Sequence, residues 1–284
     1  MLVNLKEILA YAEEKKCAIG MFNGTGFDSI QAVIGGAEEL GLPVIIAHAE
    51  VHNVYNDISL VGPAMLAVAK NAKVPVCVHL DHGVTMEMID KALALGFTSV
   101  MVDASALPYE ENVAMTQEVV KKAHAQNCSV EAELGRLATG ESGSEEGEAI
   151  QNAEDFYTDA DEAKEFVART GVDALAIAFG TSHGFYKAQP KLDFGVIERV
   201  AASVDVPLVM HGGSGVSEEG FKKAIKAGIR KINYYSYMSK AGYDAAKAFI
   251  EEGKSSYLHD LETAAMKAMK EDVKKAMKVF ALMD

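Results

Sequence analysis

The stretch 75-PVCVHLDHGVTMEMIDKALALGFTSVMVD-103 decides the fold. It opens on a short apolar run, 75-PVCVHL-80, passes through a segment of helical period, and closes on a second run, 98-TSVMV-102. Two strands joined by a helix pair in parallel, because a parallel neighbour can be reached only by a long crossover. Each run gives way to polar residues, Asp81-His82 after the first and Asp103 after the second. The same alternation continues in both directions. Upstream lie 18-AIGMF-22 and 43-PVIIA-47; downstream lie 128-CSVEAEL-134, 173-DALAIAF-179, 206-VPLVM-210 and 229-IRKIN-233. Helical patterns such as 57-DISLVGPAMLAVAKNA-72, 110-EENVAMTQEVVKKAHAQ-126 and 217-SEEGFKKAIKAG-228 separate the runs. Eight βα repeats predict an α/β protein of the (β/α)8 barrel type. The alternative, a doubly wound open sheet, would carry GxGxxG after its first strand, whereas 22-FNGTGFDS-29 lacks the third glycine.

The length of 284 residues suits one barrel domain over 1–284. The Lys/Glu/Ala/Met-rich part from 235 to 284 is read as the eighth barrel helix plus a carboxy-terminal helical extension. Met266, Met269 and Met277 there form a packing stripe or a subunit contact, and a homodimer or homotetramer is expected. A net charge of −14 argues against nucleic-acid and anionic-membrane partners, which need basic surface. Cys17, Cys77 and Cys128 are odd in number, form no CxxC pair and sit in apolar settings, as reduced thiols of a cytoplasmic protein do. Residues 1–16 are amphipathic and lack a signal-peptide centre, and no segment approaches a membrane span. The Gly/Ser/Glu-rich connection from Gly135 to Thr158 is too long for a plain turn and reads as a mobile lid.

In such a barrel, polar residues just past the strand ends converge on one face. Here that face receives Asp81, His82, Asp103, Glu131, Glu133, His183 within 180-GTSHG-184, and His211. Three imidazoles with an open fourth position suit a catalytic Zn2+, whereas a structural site would be closed by thiolates. His79 lies deeper on its strand, His48 and His52 follow the second strand near the same face, and His124 and His259 fall on helical surfaces. The segments 211-HGGSG-215 and 233-NYYS-236 read as phosphate cradles, because glycine-rich turns and a helix N-terminus offer N–H groups to an anion.

The motifs 78-VHLDHG-83, 100-VMVDAS-105, 130-VEAELG-135, 180-GTSHGFYK-187, 211-HGGSG-215 and 231-KIN-233 occur in the order of a known family. From about Leu5 to its end the chain resembles class II fructose-bisphosphate and tagatose-bisphosphate aldolases. The resemblance implies a zinc-dependent lyase that cleaves a ketose bisphosphate to dihydroxyacetone phosphate and an aldehyde. It implies His82, His183 and His211 as zinc ligands, with Glu133 and Asp103 contributing to a second site for a divalent or monovalent cation. Gly184, Gly212, Gly213, Ser214, Asn233, Tyr234, Tyr235 and Ser236 would hold dihydroxyacetone phosphate. Asp81 would transfer the proton at the aldehyde side, and Glu141 matches the position of the family's mobile-loop acid.

The chain departs from the family where the substrate would lie. The hydroxyl residue expected after the second strand is Ala49, followed by Glu50, and the phosphate segment reads Asn233-Tyr234-Tyr235-Ser236. A barrel-type zinc hydrolase would place an HxH pair after the first strand and an aspartate after the eighth, where this chain has Asn23 and Asn233. A non-catalytic sugar-phosphate-binding subunit is the remaining alternative, and retention of Asp81 with all three histidines argues against it.

Overall fold

The computed structural model describes residues 1–135, 157–185, 190–253 and 255–283. The eight strands are β1 (Ile19–Asn23), β2 (Val44–Ala49), β3 (Val76–Gly83), β4 (Ser99–Val102), β5 (Ser129–Leu134), β6 (Ala174–Ile177), β7 (Leu208–Met210) and β8 (Ile229–Asn233). They pair in parallel in sequence order, and β8 returns to β1, with Ile19 opposite Lys231, to close the barrel. The (β/α)8 expectation is met, and each predicted run coincides with one strand, although β1, β2 and β3 continue one to three residues past theirs.

Alternation along the strands sorts the side chains into two cores. Val76, Val78 and Leu80, or Val100 and Val102, face outward and pack against the surrounding helices. Ile19, Met21, Ile45, Ala47, Cys77, Ala174, Ala176 and Val209 face inward. The lower end of this inner core is plugged by α1 (Leu5–Lys15), which buries Leu5, Ile8, Leu9 and Ala12, the i, i+3, i+4, i+7 stripe of one helix face. Asn4 caps that helix reciprocally with Glu7, so the amphipathic start of the chain is a barrel stopper. All three cysteines are free and buried.

At the other end, side-chain caps set where the helices begin. Asp57, Thr85 and Ser217 each accept a hydrogen bond from a first-turn N–H. The expectation for the carboxy-terminal part needs one refinement. The helix that follows β8, α9 (Ser236–Glu252), buries little beyond Met238 and Gly242. The eighth place in the ring is taken by α10 (Leu258–Phe280), which packs on α2 (Phe27–Leu40), α8 (Glu218–Ala227) and β1. Met277 is buried in that packing, while Met269 meets Gly242 of α9, so these methionines serve packing within the chain. No described helix is long and apolar enough to cross a membrane.

Candidate active site

A cavity of about 230 Å3 opens at the carboxyl ends of the strands. It is bordered by Asp81 and His82 from β3, His183 and Gly184 after β6, Gly212 to Ser214 after β7, and Asn233 to Ser236 at the end of β8. The residues expected from separate motifs thus share one wall.

Asp81 and His82 are neighbours in sequence, and in a regular strand their side chains would face opposite sides. Here the β3–β4 register shifts between Leu80 and Gly83, and His82 adopts φ 44°, the left-handed region. This irregularity brings both side chains to the cavity. Nδ1 of His82 lies 2.7 Å from Asp103 Oδ2. A carboxylate only accepts, so that nitrogen carries the proton and the ring keeps its lone pair on Nε2. Burial holds this imidazole well below its usual pKa, which favours the neutral, ligating form. Asp103 is itself held by Ser105, whose Oγ and N donate to Oδ1 at 2.7 and 3.2 Å.

His211 is oriented in the same way. Its Nε2 lies 2.9 Å from Glu131 Oε1, while its Nδ1 is buried without a hydrogen-bond partner among the described residues, 3.4 Å from Glu133 Oε2. Glu133 Oε2 also lacks a hydrogen bond, and burial together with Asp103, Glu131 and Asp81 pushes this carboxyl well above its ordinary range. A buried imidazole nitrogen and a buried carboxylate oxygen, both without hydrogen bonds among the described residues and facing each other, have the donor chemistry of a metal site. Ligand atoms of His82, His183 and His211 lie within 4.8 Å of one another, and so do those of His82, Asp103 and Glu133. The residues therefore fit a cation, and the two sets share His82.

Asp81 is positioned by two amides. Asn23 Nδ2 donates to Oδ2 at 2.8 Å and Asn233 Nδ2 donates to Oδ1 at 3.1 Å. Burial raises its pKa, but His82, His211 and Lys231 outweigh that and hold it below the usual carboxylate range. Glu131 behaves alike; burial is overcome by Lys231 and the His211 hydrogen bond, leaving it at about 2. Glu131 lies deeper than a strand-end acid and is fully buried, so it supports the site from below.

The two glycine-rich and tyrosine-rich segments are laced together. Gly213 N donates to Asn233 O at 3.0 Å, and Tyr235 N donates to Ser214 Oγ at 3.1 Å. Gly212 has φ 62°, and a Cβ there would run into the Ser182 carbonyl, so glycine is required at this approach.

Some expectations are narrowed. His79 is buried inside the barrel with Nδ1 2.9 Å from Ser99 Oγ, and burial pushes it down to about 3. His124 pairs with Asp173 at 2.8 Å on the surface. His48 is buried away from the cavity, whereas Ala49 and His52 border it. Glu50 is turned elsewhere and holds the loop after β3 through Val84 N and Thr85. Glu141 and most of the expected lid lie outside the described residues. Sequence reasoning missed Asn23 and Tyr55 as cavity residues. For Asn23 the signal was present, a polar residue ending the first apolar run.

A family profile described as fructose-bisphosphate aldolase class-II matches residues 3–284. A fructose-bisphosphate aldolase of Staphylococcus aureus (strain Mu50 / ATCC 700699) is 38% identical over 285 residues, covering 98% of this chain and 97% of its own. The counterpart from Staphylococcus epidermidis is 37% identical with the same coverage. The crystal structure of the YdjI aldolase from Escherichia coli K12 superposes with a TM-score of 0.86 at 38% identity, covering 99% of this chain and 97% of that one. The class defined by fold and site is a (β/α)8 barrel with a histidine cluster at the strand ends that could hold a metal ion. The chain belongs to the class II fructose-bisphosphate aldolase family, and it is an aldolase, a carbon–carbon lyase with a sugar phosphate as substrate.

Proposed function

We propose that this aldolase cleaves fructose 1,6-bisphosphate to dihydroxyacetone phosphate and glyceraldehyde 3-phosphate, and runs the reverse condensation, with Zn2+ held by His82, His183 and His211. The observation that carries the reading is that His82, His183, Asp81 and the laced β7–β8 segments surround one cavity, with the His211 ring 4.4 Å from that of His82. Tagatose 1,6-bisphosphate, the C4 epimer, is the competing substrate. The curated relatives' names favour the fructose ester.

Zinc at this position would supply Lewis-acid stabilisation of the negative charge that develops on the three-carbon fragment. Gly212 to Ser214 and Asn233 to Ser236, beside Gly184, hold the phosphate of that fragment and fix its orientation. Asp81 accepts the proton of the C4 hydroxyl as the C3–C4 bond breaks, its electron pair passing to the three-carbon fragment, and returns the proton in condensation. Glu133 and Asp103 are the proposed ligands of a second cation, and Glu141 is proposed as a further proton-transfer group. The three buried free thiols support a cytoplasmic setting. Tyr243 and Ile250, exposed on α9, support a homodimer or homotetramer.

The test is removal of metal. Chelation should abolish cleavage of both bisphosphates and added zinc should restore it, with the faster ester identifying the substrate. Unchanged turnover by metal-free protein would overturn the reading.

A further inference from the structure

Lys231 lies in the middle of β8, fully buried, and is not a residue of the cavity wall. Its ammonium is 2.8 Å from Glu131 Oε2 and donates to Glu131 Oε1 at 3.1 Å. It also donates to Asn233 Oδ1 at 2.8 Å. Each of these acceptors has a second partner in the site: Glu131 Oε1 meets Nε2 of His211, and the Asn233 amide nitrogen donates to Asp81 Oδ1.

The chemistry of the two intermediaries makes the arrangement directional. An amide has one accepting end and one donating end. With its oxygen occupied by Lys231, Asn233 must turn its nitrogen to Asp81; reversed, it would set oxygen against oxygen. An ionised carboxylate only accepts, so Glu131 obliges His211 to present N–H at Nε2 and its lone pair at Nδ1, the nitrogen left without a hydrogen bond. Stability alone does not account for a buried ion pair, since apolar replacement of such pairs is often neutral or stabilising.

We propose that Lys231 is a positioning residue for both halves of the site, setting the ligating face of His211 through Glu131 and the orientation of Asp81 through Asn233. This rests on the reading of His211 as a metal ligand and Asp81 as the proton-transfer group. Lys231 is thereby assigned a role without touching substrate.

The experiment uses the full chain with Lys231→Met, a replacement of similar length without charge. Where that variant fails to fold, Lys231→Met/Glu131→Gln removes both charges together. Zinc affinity of stripped protein is measured by competition with a chromophoric chelator, a readout independent of turnover. On the zinc-loaded protein, cleavage of the ketose bisphosphate is compared with exchange of the C3 proton of dihydroxyacetone phosphate, which does not need Asp81. The expected result is zinc affinity lowered about 10- to 100-fold, the usual effect of losing an orienting partner of a ligand, with cleavage falling more than exchange. A folded variant that keeps the parent zinc affinity and the parent ratio of cleavage to exchange overturns the proposal, even if it melts at a lower temperature. A parent protein that neither binds zinc nor cleaves a ketose bisphosphate removes the underlying reading instead, and shows itself before any variant is made.

Discussion

Asp81 owes its setting to three different strands. It sits at the irregularity of β3, and its two oxygens are claimed by Asn23 from β1 and Asn233 from β8. A hydrogen bond to a charged group contributes about 1.5–3 kcal/mol. Asn23→Ala should therefore slow cleavage by roughly ten- to hundredfold with zinc stoichiometry unchanged, and Asp81→Ala should slow it by about 10²–10⁴-fold while zinc stays bound. Steady-state kinetics and metal analysis on the two variants check this; a loss of zinc in Asn23→Ala would show that the amide serves the metal side. Asp81 and the histidines were legible from sequence because an unusual residue type ended an apolar run. Asn23 ends an apolar run as well, but its role, like that of Lys231, was not legible, since the meaning of each lies in a partner 58 or 100 residues away along the chain.

The elements around the cavity divide the work. The ends of β7 and β8 form a cradle tied by two hydrogen bonds, and Gly212 stands at its tightest point, against the Ser182 backbone of the segment after β6. Gly212→Ala asks for both a left-handed φ and space that a carbonyl occupies. The strain of such positions is about 1–3 kcal/mol, and relief requires the cradle to move away from His183. KM for the ketose bisphosphate should rise at least tenfold, and the melting temperature should fall by several degrees, by about the amount that strain implies. Calorimetry with saturation kinetics reads both, and an unchanged KM would mean the cradle does not hold phosphate. HGGSG could be recognised as a glycine turn in the sequence; its partner Ser182 could not, because no local pattern records which loop a turn leans on. The alternation of strands and helices was legible throughout, since burial on both faces leaves continuous apolar runs.

The molecule as a whole carries a net charge of −14, yet it buries Lys231 and the imidazoles of His48, His79, His82 and His211. The price is sensitivity to acid. His48 is held at about 4 by burial and by the neighbouring His52, against an ordinary 6.5. Between about pH 6.5 and 4 the unfolded chain binds a proton at this ring that the folded chain refuses, so this contribution is complete above 6.5 and is lost as pH falls through that window. Chemical denaturation of metal-free protein at pH 7 and pH 4.5 should show the loss, and His48→Gln should reduce the difference between the two pH values. An equal pH dependence in parent and variant would assign the acid sensitivity elsewhere.

The ring of helices is closed by the last long segment of the chain. Phe280 accepts the backbone hydrogen bond of Ala18, and α10 covers β1 and α2, the first strand and the helix that follows it. During synthesis the earliest barrel unit therefore emerges with its outer flank bare and stays so until α10 has followed it. The seam between the first unit and α10 joins segments far apart in the chain, so its contacts carry a high loop-closure cost and are expected to form late in folding.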